Sequence, residues 1–230
     1  GDGLSHVGFG ALSVAAVMNL APLKVAIPVV ILAAVFLLRL SEHSQLKGDS
    51  AIAIFSTSAL AIGVLVSSKA GLTNDVSHYM FGSILAMSRE DVLLSVVLSL
   101  LVIAAYMLLY HKIYAITFDE DFAKATGTNV RFYNLLLAVL TAVTVVLGMM
   151  MMGALLISSL IIFPALTSMR VCRTFKSVIL NSAVLSVVCL IAGLTISYVG
   201  ATPAGASVVL ANLAALIVYS CIGMIRNRIR

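Results

Sequence analysis

Residues 91–110 read DVLLSVVLSLLVIAAYMLLY. An apolar run of about twenty residues, wound as a helix at 1.5 Å per residue, reaches the roughly 30 Å of a bilayer's hydrocarbon core. Its apolar positions are continuous rather than alternating. That excludes the strand of a membrane barrel, which alternates in polarity over about ten residues. A backbone in lipid must satisfy its polar groups internally, so the remaining solution is a transmembrane helix. Working outward, similar runs recur at residues 3–18, 23–40, 50–68, 132–150, 152–169, 177–198 and 204–225. The sequence therefore predicts an all-α, polytopic integral membrane protein with about eight transmembrane helices. Residues 1–230 read as one transmembrane domain, without internal repeat or low-complexity tract.

Composition agrees. Of 230 residues 62% are hydrophobic and only 10% charged, with a mean hydropathy of +1.16. A soluble domain has about a quarter of its residues charged. The net charge of +5 does not point to nucleic acid, because its distribution has another cause. Eleven of the fourteen basic residues fall on alternate connections: Arg39 and Lys47; Lys112, Lys124 and Arg131; Arg170, Arg173 and Lys176; Arg226, Arg228 and Arg230. Lys24, Lys69 and Arg89 lie on the opposite side. Basic residues mark cytoplasmic loops, so the eleven are expected inside the cell, with the first span running outward. Cys172, Cys189 and Cys221 have no CxxC spacing and read as packing residues.

All nine acids lie between Asp2 and Asp121, most of them in connections, and Asp2 could belong to the first span. It stands four residues before His6 in GDGLSH. At this spacing both side chains leave one helix face about 6 Å apart. A carboxylate with an imidazole suits zinc, manganese or ferrous iron. Two ligands cannot close a tetrahedral site, but two chains about a two-fold axis supply four. The same residues also read as the solvated end of the first span, and Gly3, Gly8, Gly10 and Ser5 as close helix packing.

Between the fourth and fifth spans lies ITFDEDFAKATGTNV. Thr117 and Glu120 fit a capping box, Asp119 to Asp121 favour a helix start, and Gly127 fits its end. The product is a two-turn cytoplasmic helix presenting Phe122, either a docking surface or an ordinary surface helix. GMMMMG at 148–153 offers soft thioethers, though methionine is more often apolar filler. Pro164 should kink its span, and Pro203 with Gly205 makes a tight entry to the last. His43, His78 and His111 read as interfacial. No Walker A pattern occurs, so ATP hydrolysis is not expected of this chain.

Taken in order, GDGLSH, YMFGSILAMSREDV, ITFDEDFAKATGTNV, GALLISSLIIFPALTS and ATPAGASVV resemble the membrane permease of bacterial zinc/manganese ABC importers, the ZnuB-like family. The likeness covers nearly the whole chain. It implies a multi-pass protein of the bacterial plasma (inner) membrane that moves Zn2+, or next Mn2+, into the cytoplasm, holding no permanent cofactor. It implies a second permease copy completing the pore, separate ABC ATPase subunits using ATP, and an extracellular or periplasmic metal-binding protein. The family's pathway Asp and His fall on Asp2 and His6. Its ATPase-coupling element falls on Thr117, Phe118, Asp119, Glu120, Asp121, Phe122, Ala123 and Gly127. Pro164, Pro203 and Gly205 are hinge or pathway candidates. Because the chain opens on Gly1, it is expected to lack one upstream helix. Gly3 stands where many relatives have Ala or Thr, and the methionine run is heavier than usual. The rival functions are a permease for iron chelates or cobalamin and a stand-alone secondary metal transporter.

Overall fold

A computed structural model describes residues 2–43, 48–71 and 89–228, and for Asp2, 41–43, 48–49, Asp91 and 225–228 the backbone alone. Among the described residues the regular elements are helices: α1 (Asp2–Val17), α2 (Pro22–His43), α3 (Gly48–Lys69), α4 (Arg89–Phe118), α5 (Glu120–Ala125), α6 (Val130–Met152), α7 (Ala154–Met169), α8 (Phe175–Gly200) and α9 (Ala204–Arg228). Each apolar run read from the sequence falls on a helix. Six of them, α2, α3, α4, α6, α8 and α9, are long and apolar enough to cross a membrane. Helices α1 and α7 have 16 residues each, about 24 Å at 1.5 Å per residue, short of the hydrocarbon thickness. The protein is thus all-α and polytopic.

Helix α4 departs from expectation. Its apolar run was expected to stop at Tyr110, where His111 and Lys112 follow, yet the helix continues to Phe118. Nothing in HKIYAITF breaks a helix, and a stack of aromatics four residues apart supports it. Tyr106 and Tyr110 meet edge-on at 6.1 Å, Tyr110 and Tyr114 stack at 6.4 Å, and Tyr114 and Phe118 pack at 4.7 Å. Such i,i+4 aromatic pairs stabilise a helix locally.

The helices form two compact units, divided at Leu147 and Gly148 within α6. In the first, α1 lies against both α2 and α3. Phe9, Leu12 and Ala15 of α1 are fully buried. The close crossing depends on glycine. A Cβ at Gly10 would come 2.7 Å from the Ala59 carbonyl oxygen, and one at Gly63 would come 2.9 Å from both the Gly10 Cα and the Phe9 ring. Small residues let backbones approach where no hydrophobic effect draws helices together. Gly63→Leu should therefore destabilise the protein by about 1–3 kcal/mol, the range for overpacking. The check is the thermal midpoint of the detergent-solubilised protein. Gly200→Ala should not lower that midpoint, since a Cβ there would come only to 3.6 Å from the Thr202 side chain, an ordinary contact.

In the second unit α7, α8 and α9 pack on one another. Gly193 of α8 lies directly against Val208 of α9. Polar ties join α7 to α8. The Asn181 amide donates to Ser168 Oγ at 3.0 Å, and Ser182 Oγ donates to the Pro164 carbonyl at 3.2 Å. Thr174 caps α8 by accepting from the Ser177 amide, and Ala201 ends it in the left-handed conformation, at φ 48°.

Candidate functional site

The sequence singles out three places. Helix α1 begins at Asp2, so its backbone carries residues 2 and 6 on one face one turn apart. The Asp2 side chain lies outside the described residues. His6 is half-buried, beside the buried Ser5 and Val7, on the helix that packs between α2 and α3. Among the described residues no three His, Cys, Asp or Glu side chains gather to hold a metal. His111 lies edge-on to Tyr110 at 5.5 Å in the aromatic stack of α4. His43 and His78 fall outside the described side chains, as does most of YMFGSILAMSREDV.

The second place is α5, a short helix as expected but capped differently. Thr117 was expected to cap it in a box with Glu120. Instead Thr117 sits in the last turn of α4 and donates its hydroxyl to the Ile113 carbonyl at 2.7 Å. The cap is Asp119, in extended conformation, whose carboxylate accepts from the Phe122 amide at 2.9 Å. Aspartate is as good an N-cap as threonine or better, and its extended backbone separates α4 from α5. Glu120 pairs with Lys124 at 2.9 Å, with Asp121 further off at 3.8 Å.

The C-terminal end follows expectation. Gly127 has φ 79°, its amide donates to the Lys124 carbonyl, and the Thr128 amide donates to the Ala123 carbonyl. These two bonds are a Schellman ending, which favours glycine at the left-handed position. Ala123 is fully buried, packed in one small core with Ile116 of α4, Val130 of α6 and Tyr133. Phe118, Phe122 and Phe132 are exposed, Phe122 at 63%. The helix therefore has a face held to its own chain and an open aromatic face amid charge. The sequence reading passed over Asn129, which caps α6 by accepting from the Phe132 amide at 3.2 Å. Asparagine immediately before an apolar run is a signal that could have found it.

The proline and glycine candidates do not form one site. Pro164 is buried inside α7 and its carbonyl meets Ser182, early in α8. Pro203 lies beyond the other end of α8, exposed, with Gly205 buried in the first turn of α9. There Thr202 and Ser207 share a hydrogen bond of 2.7 Å, and Ser197 Oγ donates to the Thr202 carbonyl. The methionine run ends α6. Met149 is buried and Met150 to Met152 are half-buried, before Gly153 turns the chain into α7 at φ 86°.

Against known proteins, the sequence profile of the ABC 3 transport family matches residues 1–223. Over 212 residues the chain is 31% identical to the manganese import system permease protein ScaB of Streptococcus gordonii, spanning 92% of this chain and 76% of that protein. Over 213 residues it is 29% identical to the high-affinity zinc uptake system membrane protein ZnuB of Haemophilus influenzae, spanning 92% and 82%. Its fold is similar to a chain of the structure described as PsaBC from Streptococcus pneumoniae in complex with Fab. That match has a TM-score of 0.83 at 30% identity, covering 95% of this chain and 79% of that one. With six helices of spanning length among the described residues and a family match over nearly every residue, this chain belongs to the ABC 3 transport family.

Proposed function

We propose that the chain is the transmembrane subunit of an ATP-driven importer carrying divalent zinc or manganese across a bacterial plasma membrane into the cytoplasm. Family membership supports this, and the observation that carries it is likeness over nine-tenths of the chain to permeases named for manganese and zinc uptake. Residues 1–230 act as one permease domain, and a second copy completes the pore. ATP is hydrolysed by partner ATPase subunits, since this sequence has no Walker A motif. A metal-binding protein outside the membrane delivers the ion.

Asp2 and His6, doubled by the second copy, form a transient stop for the ion. A mixed carboxylate–imidazole set suits both zinc and manganese. The relatives divide between the two ions, so the donors set the class of cargo and transport must name the member. Bound ATP closes the ATPases, α5 passes that movement into the spans, and Pro164, Pro203 and Gly205 are places where helices can adjust.

Whole-cell metal content decides the cargo. A strain lacking this permease should show a deficit in zinc or in manganese, restored by the full-length wild type. A deficit in iron chelate or cobalamin uptake instead would favour the chelate permease. Flux in liposomes without any ATPase would favour a stand-alone transporter.

A further inference from the structure

Six residues are too few for a helix to hold itself together, so α5 depends on what grips it. The grip comes from both neighbouring spans. Ile116, in the last turn of α4, is 7% exposed. Ala123 of α5 is completely buried, and Val130, the first residue of α6, is 4% exposed, with Tyr133 packed on the three. A second tie runs beside this core. The Lys112 ammonium donates to Thr128 Oγ1 at 3.5 Å, joining α4 to the segment that enters α6. Both ends of α5 are closed as well, by Asp119 and by the Gly127 ending. Phe122 is left open on the other side.

The geometry points to Ile116, Val130 and Lys112 as positioning residues for energy coupling. They lock α5 to α4 and α6 at once, so that a displacement applied at Phe122 moves those two spans as one body. Without the lock, the extended Asp119 and the segment after Ala125 would act as hinges, and the short helix would swing while the spans stayed still. This inference rests on α5 being the surface that meets the ATPase. None of the three residues is part of the open face.

The test uses the full-length permease assembled with its ATPase subunits in liposomes, supplied with manganese or zinc as the uptake experiment directs. Ile116→Ala and Val130→Ala should leave assembly and ATP hydrolysis near the wild type. Ions moved per ATP should fall at least on the order of fivefold, since truncating a buried side chain shifts a local equilibrium by that factor or more. Amide hydrogen exchange over residues 119–127 should quicken in the same variants, and Ile116→Val should behave nearly as wild type. Lys112→Met should lower the ratio while Lys112→Arg keeps it. Should Ile116→Ala not assemble, the milder Val130→Ala decides. Faster exchange with an unchanged ratio of ions to ATP overturns the inference, as does no change in either. Phe122→Asp separates this from the reading beneath it. If that variant has no effect, the docking role of α5 fails. If it uncouples while Val130→Ala keeps the wild-type ratio, only the lock fails.

Discussion

Replacing Asp2 by alanine in the full-length permease should abolish metal uptake while leaving the assembled transporter intact. Alanine is the strongest helix former, so α1 loses a functional group and not its backbone. Its packing rests on Phe9, Leu12, Ala15 and the Gly10–Gly63 crossing, all further along the helix. The metal loses much more. On the proposed pathway role each copy would offer two ligands, so the change would remove half of a four-ligand set in a symmetric pore. Loss of outer-shell partners alone costs about 10–100-fold in affinity, and loss of a ligand should cost at least the upper end of that range. Asp2→Asn keeps the shape and removes the charge, so it should fail nearly as badly. His6→Ala should fail too. Uptake of radiolabelled zinc and manganese into cells, beside co-purification of the ATPase, measures both halves of the expectation. Wild-type uptake by Asp2→Ala would make the pair structural.

The features that could be read in the sequence are local ones. Each long helix announced itself because spanning a bilayer requires an apolar run of a certain length, and no other fold requires one. Gly127 was legible for a similar reason, since a left-handed helix ending favours glycine. What escaped depended on competition between neighbours. His111 and Lys112 looked like the end of a span, but the aromatic stack from Tyr106 to Phe118 carries α4 past them. Thr117 looked like a cap, but inside that longer helix its hydroxyl turns back to Ile113, and Asp119 takes the capping role. The first error caused the second. The spacing of Asp2 and His6 was also legible, since α1 carries both positions on one face one turn apart. The core of Ile116, Ala123 and Val130 was hidden likewise, because each contributes a single residue from a different helix.

Phe122→Asp should separate ATP hydrolysis from transport. The substitution is mild for the chain itself. Phe122 is 63% exposed and lies outside the Ile116–Ala123–Val130 core. It sits in the first turn of α5, just after Glu120 and Asp121, where a carboxylate is favoured by the helix dipole. The Asp119 cap binds the backbone amide of residue 122, which any side chain retains. Folding should therefore survive. A docking partner would instead meet a fourth consecutive carboxylate where an aromatic anchor had been. Buried aromatic anchors at interfaces contribute 2 kcal/mol or more, about 30-fold in affinity. Metal uptake should collapse, and the ATPase should either dissociate on purification or hydrolyse ATP without moving ions. If Phe122→Asp transports as well as the wild type, the ATPase meets the permease elsewhere, and α5 is an ordinary surface helix.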